Sequence, residues 1–264
     1  MSRYATMFDR LAEAGEGAFG AFLMLGDPDL RTSARLLDQL VEGGADMIEV
    51  GIPFSDPVAD GPVIQAAAQR ALRAGVRVGD CFELIAAFRQ RHLDVPVGIL
   101  TYANLVMARA GFMRDATEVG ADSLLIADVP ALEAKSFTRE MEQAGIEPVL
   151  IAAPNTPDMT LRRIANLSKA YTYCVSRPGI TGTHAGGQFD SRLITRLRKA
   201  GASPPVFGFG ISKPEHVNAA MNAGAVGVIC GSAIVDCAFR EGDVAKFVND
   251  LKHATRERVG YEMN

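Results

Sequence analysis

Met47-Ile-Glu-Val-Gly-Ile52 runs straight into Pro53-Phe-Ser-Asp-Pro57-Val-Ala-Asp60-Gly-Pro62, a short apolar run with one acid inside it followed by a loop dense in turn residues. A run of this length bounded by glycine and proline reads as a buried parallel strand. The amphipathic stretch that begins near Val63 reads as the crossover helix that carries the chain back to start the next strand. The same unit recurs on both sides: further apolar runs begin near Phe19, Val95, Ser123, Pro148, Tyr171, Pro205 and Val226, and a helix can be drawn after each. Gly44-Ala-Asp46, Gly120-Ala-Asp122, Gly145-Ile-Glu147, Gly201-Ala-Ser203 and Gly224-Ala-Val226 each close a helical stretch just ahead of a strand, as helix-terminating glycines do.

Eight such units in 264 residues, 48% of them hydrophobic, suit one domain, 1–264, folded as an α/β protein of the (β/α)8 TIM-barrel type. A doubly wound open sheet has the same alternation, but it usually carries a glycine-rich fingerprint after its first strand, where this chain reads Leu25-Gly-Asp-Pro-Asp-Leu30. An extra N-terminal helix is predicted over residues 4–13. Long loops follow strand two (residues 51–62) and strand six (residues 176–188), both on the rim where barrel enzymes work.

The formal net charge of -4 offers no broad basic surface for nucleic acid or an anionic membrane. No apolar run reaches the roughly 20 residues that span a bilayer, and the amino terminus lacks a signal-peptide core, so a cytoplasmic location is expected. Cys81, Cys174, Cys230 and Cys237 have no CxxC spacing and read as buried, reduced thiols. His92, His184, His216 and His253 are scattered without HxH or HxxxH spacing, so no metal is expected. Lys169, the lysine beside a strand, precedes strand six and so lies at the wrong end of the barrel for imine chemistry. Carboxylates remain as the acid–base inventory.

Side chains alternate along a strand, so if Ile48 and Val50 face the helices, then Met47, Glu49 and Gly51 face the barrel interior. Desolvation there would lift the Glu49 pKa toward neutrality, where one carboxyl can both give and take a proton. The alternative is a structural carboxylate held by an arginine. Asp60 has a helix-capping role as its alternative, and Asp56, ahead of Pro57, reads as a turn former or surface contact. Gly208-Phe-Gly-Ile-Ser212 follows strand seven and Gly231-Ser232 follows strand eight, so two helix amino termini converge where backbone N–H groups could hold a phosphate. Gly182 could supply a third wall. Inward alternation collects Phe22, Met24, Leu100, Tyr102, Tyr173 and Phe209 into a flat apolar pocket fit for an aromatic ring, or into ordinary core.

The stretch EVGIPFSDPVADGP at 49–62 resembles the signature of the tryptophan synthase alpha subunit family. The resemblance continues through LGDPD at 25–29, ILTYANLV at 99–106, ADVP at 127–130, YTYCVSRPGITG at 171–182, GFGIS at 208–212 and GSAIV at 231–235, nearly the whole chain in order. It implies a lyase that cleaves indole-3-glycerol phosphate to indole and glyceraldehyde 3-phosphate. Glu49 would be the principal acid–base group and Asp60 would steady positive charge at the indole nitrogen. It further implies phosphate binding by Gly182, Gly210, Gly231 and Ser232, and an indole pocket of Phe22, Leu100, Tyr102, Tyr173 and Phe209. Pro53, Asp56, Pro57 and Asn104 would meet a beta subunit in an α2β2 assembly, while the loop 176–188 closes over substrate. Pyridoxal phosphate would belong to that partner, leaving no cofactor in this chain. A stand-alone indole-3-glycerol phosphate lyase and a non-catalytic activating barrel are the alternatives; the presence of both Glu49 and Asp60 argues against the second.

Overall fold

A computed structural model describes residues 1–176 and 189–256. The chain order is α1 (Arg3–Glu13), β1 (Ala18–Met24), α2 (Leu30–Glu42), β2 (Met47–Gly51), α3 (Pro62–Arg73), α4 (Val78–Arg91), β3 (Val97–Thr101), α5 (Ala103–Ala108), α6 (Phe112–Glu118), β4 (Ser123–Ile126) and α7 (Lys135–Ala144). It continues with β5 (Glu147–Pro148), β6 (Leu150–Ala152), α8 (Asp158–Leu167), β7 (Thr172–Cys174), α9 (Ser191–Lys199), β8 (Pro205–Phe207), α10 (Pro214–Asn222), β9 (Gly227–Cys230), α11 (Ser232–Phe239) and α12 (Val244–His253). The predicted early helix is therefore α1.

All nine strands lie in one sheet ordered β5-β4-β3-β2-β1-β9-β8-β7-β6, and every pairing is parallel. The two ends of this order, β5 and β6, are adjacent pieces of one extended segment separated by Val149 alone. That segment bonds β4 with its first half and β7 with its second, which closes the sheet into the (β/α)8 barrel. The single strand expected at Pro148 is thus split. Val149 N–H still donates to Leu124 O at 3.0 Å, but the Ile126 carbonyl turns into the following turn, where it accepts the Val129 N–H.

The repeated glycines take the left-handed conformation that ends helices: Gly44, Gly120, Gly145, Gly201 and Gly224 have φ between 70° and 94°. The aspartates of the two Gly-Ala-Asp copies do equivalent work at the amino-terminal end of the barrel. Asp46 accepts the Phe19 N–H at 2.9 Å and Asp122 accepts the Val97 N–H at 2.8 Å, each tying the loop before one strand to the start of its neighbour. Cations surround both carboxylates. Lys252 (2.7 Å) and Arg10 (3.0 Å) meet Asp46, while Arg3 (2.7 Å) and Arg89 (2.8 Å) meet Asp122. The α1 helix caps this same end, burying Tyr4, Met7 and Leu11 and sending the Tyr4 hydroxyl to Ser123 Oγ at 2.9 Å. Ion pairs and a plug thus stabilise one end and leave the other for chemistry.

Cys81, Cys174 and Cys230 are buried and Cys237 is half-buried, all as free thiols. Burial pushes the first three up to about 12, out of reach of thiolate chemistry near neutrality. Among the described residues no helix is long and apolar enough to cross a membrane.

Lys252→Ala would leave Asp46 buried with one of its cations gone. It is expected to lower the unfolding free energy by roughly 3 kcal/mol in urea titrations, the usual cost of breaking a buried ion pair.

Candidate active site

Above the plug the barrel opens into a cavity of about 750 Å³, its mouth included, of the size usual for small-molecule sites. Glu49 enters from the middle of β2, on the inward face that strand alternation assigns to it, and is buried. Gly98 in β3 helps make the floor beneath it. A Cβ there would lie 2.7 Å from Ser123 Oγ and 2.9 Å from Tyr4 Oη, so only glycine leaves room for the hydroxyls packed under the site.

The Tyr171 hydroxyl donates to Glu49 Oε1 at 3.0 Å. No arginine or lysine pairs with Glu49, so the structural alternative of an ion-paired carboxylate does not hold among the described residues. Desolvation dominates its acidity and, with the nearby Asp60 charge, outweighs the tyrosine hydrogen bond; the pKa rises from 4.5 to about 7.

Asp60 ends the long loop after β2. It does not cap α3: Gly61 stands at the N-cap and Pro62 in the first turn, with no side-chain capping bond. The carboxyl is buried on the cavity wall instead. Tyr102 Oη accepts the Ala59 N–H at 3.2 Å and donates to the Asp60 carboxylate. Desolvation raises Asp60 to about 6, with the tyrosine bond working against the rise.

Phe22, Leu100, Tyr173 and Phe209 line the cavity as their strand positions predicted. Tyr173 lies flat against the Gly208 backbone, where a Cβ would come within 2.0 Å of its hydroxyl oxygen. Tyr102, expected as an indole contact, is not among the side chains that line the cavity; it hydrogen-bonds the Ala59–Asp60 segment and stacks on Phe54 with ring centroids 5.2 Å apart. Tyr171, which sequence reasoning missed, sits two residues before Tyr173 and so shares its inward face; that spacing was the available signal. Leu125, Ala127, Ile151 and Ile229 also line the cavity and carried no sequence mark beyond apolarity.

Gly210, Gly231 and Ser232 gather on one side of the cavity. The amino termini of α10 and α11 both open there, with Lys213 and Gly231 at their N-caps and no side-chain acceptor on either. No lysine or arginine lines the cavity among the described residues. An anion at this wall would meet backbone N–H groups and two helix dipoles. Gly182 and residues 177–188 of the loop after β7, the sixth barrel strand, lie outside the described residues.

Of the residues assigned to a partner surface, Asp56 and Asn104 are exposed and Pro57 is half-buried. Pro53, two residues past the end of β2, is buried within this chain. Lys169 is held at the opposite end, its N–H on Pro148 O at 2.8 Å. No group of three or more potential metal ligands occurs among the described residues.

Fold and cavity together define a (β/α)8 barrel with two buried carboxyls in one small-molecule cavity. The family model for the tryptophan synthase alpha chain matches residues 8–259. The tryptophan synthase alpha chain of Serratia proteamaculans is 47% identical, over 97% of this chain and 100% of its own length; one from Escherichia coli is 44% identical, with the same coverage. Among solved structures, one from Aquifex aeolicus superposes with a TM-score of 0.89 at 32% identity, covering 97% of this chain and 100% of that one. Mycobacterium tuberculosis tryptophan synthase gives 0.89 at 30% identity, with 97% and 98% covered. The chain belongs to the tryptophan synthase alpha chain family.

The raised Glu49 pKa has a consequence for stability. Below about 4.5 the carboxyl is protonated in folded and unfolded chains alike; above about 7 the folded chain must keep an ionised group out of water. Stability contributed by the neutral form is therefore lost as pH rises through this window. Relative to Glu49→Gln, the wild type should lose roughly 3 kcal/mol between these limits. Urea unfolding at several pH values checks this, and a pH-independent difference would contradict the assigned burial.

Proposed function

We propose that Glu49 and Asp60 carry out the family's reaction, the cleavage of indole-3-glycerol phosphate to indole and glyceraldehyde 3-phosphate in tryptophan biosynthesis. The reading rests on one observation: two desolvated carboxyls, with pKa values of about 7 and about 6, share one apolar cavity. Their order assigns the roles. Between those values the dominant state has Glu49 neutral and Asp60 ionised, a proton donor facing the same space as an anion.

The bond to be broken joins indole C3 to the glycerol carbon that bears the adjacent hydroxyl. It has no electron sink while the indole is aromatic. Glu49 gives its proton to C3, which turns the ring into a cation with its charge on the nitrogen. Asp60 accepts the ring N–H and stabilises that charge. The Glu49 carboxylate then takes the proton of the adjacent hydroxyl. The oxygen forms a carbonyl, the carbon–carbon bond breaks, and its electron pair returns to the ring as neutral indole. Glu49 ends protonated, as it began. Tyr171 steadies Glu49 Oε1, and Tyr102 does the same for Asp60.

Phosphate would bind at Gly210, Gly231 and Ser232, with the indole against Phe22, Leu100, Tyr173 and Phe209. The same proposal extends to a beta subunit as partner, in an α2β2 assembly, with Asp56, Pro57 and Asn104 on the docking face and pyridoxal phosphate held by that partner. Free buried thiols suit a reducing, cytoplasmic setting.

Glu49→Gln is expected to lower indole formation at least about a hundredfold in steady-state assays, the low end for losing a general acid–base group. Near-normal turnover would remove Glu49 from the mechanism. The kcat/KM profile should rise as Asp60 ionises near pH 6 and fall as Glu49 loses its proton near pH 7. Ser232→Asp should raise KM by setting like charge beside the phosphate.

A further inference from the structure

Leu25-Gly-Asp-Pro-Asp29, the loop after β1, contributes no side chain to the lining of the substrate cavity. Its Asp27 instead takes both arms of Arg70, in the last turn of α3: Nε donates to Oδ1 and Nη2 to Oδ2, each at 2.7 Å. The same guanidinium lies over the ring of Phe239, the last residue of α11, with its central carbon 4.3 Å from the ring centre. Phe239 is 61% exposed, so burial does little to fix its ring and the cation–π contact is what places it.

One planar cation therefore joins the segments that follow three neighbouring strands, β9, β1 and β2. Two of those segments carry the site. α3 begins directly after Asp60 and Gly61, and α11 begins at Ser232 with Gly231 at its N-cap. Gln65 in the first turn of α3 donates its Nε2 to Asp60 O at 2.7 Å, so a shift of this helix carries Asp60 with it. Val63 and Ala66 of α3 and Val235 of α11 line an open groove between the two helices, and Arg70 and Phe239 meet across it. Only a planar fork matches both carboxylate oxygens and a ring face at once; a lysine ammonium does neither.

We propose that Arg70 is a positioning residue for the lyase reaction, which grips Asp27 and Phe239 together and thereby fixes the distance between Asp60 and the Gly231–Ser232 wall. The role rests on the reading of Asp60 and that wall as substrate-binding groups and adds the element that spaces them. Arg70 does not line the cavity and acts through the two helices alone. Spacing matters because one substrate molecule must meet both groups at once, and a misplacement of about 1 Å can cost on the order of a hundredfold in rate.

The test compares Arg70→Lys, Arg70→Met and Phe239→Leu with Lys252→Ala, a control that loosens the opposite end of the barrel; thermal melting shows which variants are folded. Without the clamp, α3 lets water reach Asp60, which desolvation holds at about 6, so its pKa falls toward 3.8 and the rising limb of kcat/KM moves to lower pH. Glu49, Tyr102 and Tyr173, the titratable groups that face Asp60, are unchanged in every variant. Deleting a cation by itself would raise Asp60, so Arg70→Lys, which keeps the charge, isolates the geometric effect. It is expected to lower the limb by at least about half a pH unit and to raise KM at least about fivefold, while Lys252→Ala leaves both at wild-type values. A limb and KM that do not move in folded Arg70→Lys overturn the proposal, as does the same movement in Lys252→Ala, because loss of stability would then be the cause. Phe239→Leu alters an exposed side chain and should move both readouts in the same direction; no movement there overturns the link to α11. Titration of the Asp60 carboxyl by 13C NMR reads the shift without turnover. If the wild type fails to cleave indole-3-glycerol phosphate, the reaction assignment fails, and the NMR titrations of wild type and Arg70→Lys still decide the clamp.

Discussion

The removal of the Glu49 carboxyl from water is the constraint on which the site depends. A carboxyl in an apolar barrel would sit as an inert neutral acid if desolvation acted alone, and as an inert anion if a cation paired with it. Here the Tyr171 hydroxyl at 3.0 Å offsets part of the desolvation and no cation among the described residues pairs with the carboxyl, so the group is balanced near neutrality. Asp60 differs in degree: it lies nearer the mouth, takes a tyrosine hydroxyl of its own, and ionises first. A single fold thereby holds one acid and one anion in the same space at the same pH.

Much of the remaining structure serves that balance from a distance. The floor under Glu49 is built from Tyr171, Tyr4 and Ser123, and Tyr4 comes from α1, the helix that seals the far end of the barrel. Gly98 makes the space they occupy. The buried ion pairs of Asp46 and Asp122 sit at that sealed end, away from the cavity that Glu49 and Asp60 line. At the open end the cavity wall that carries Gly210, Gly231 and Ser232 has no lysine or arginine lining it among the described residues, so none of these holds Glu49 ionised.

The split fifth strand shows a different kind of constraint. A closed parallel barrel requires each strand to be bonded on both sides, yet the segment from Glu147 to Ala152 divides its bonds, early residues to β4 and late ones to β7. Ala134, Phe137, Thr138 and Met141 of the α7 segment cover this seam. Leu125 and Ile151, on the two sides of the seam, also line the substrate cavity.

The repeat of strand, helix and terminating glycine, the interior placing of Glu49 and the gathering of glycines after the last two strands were legible in the residues, because period and turn chemistry are local properties of the chain. The aromatic and aliphatic wall was legible in part: Phe22, Leu100, Tyr173 and Phe209 follow from alternation. Other decisions belonged to the tertiary structure. Tyr102 meets the Ala59–Asp60 segment because the loop after β2 returns to the end of β3; Asp60 is released from capping because Gly61 and Pro62 start the helix; Tyr171 meets Glu49 across the barrel, 122 positions away in the chain. Distances of that kind depend on closure of the whole sheet, and no window of sequence contains them.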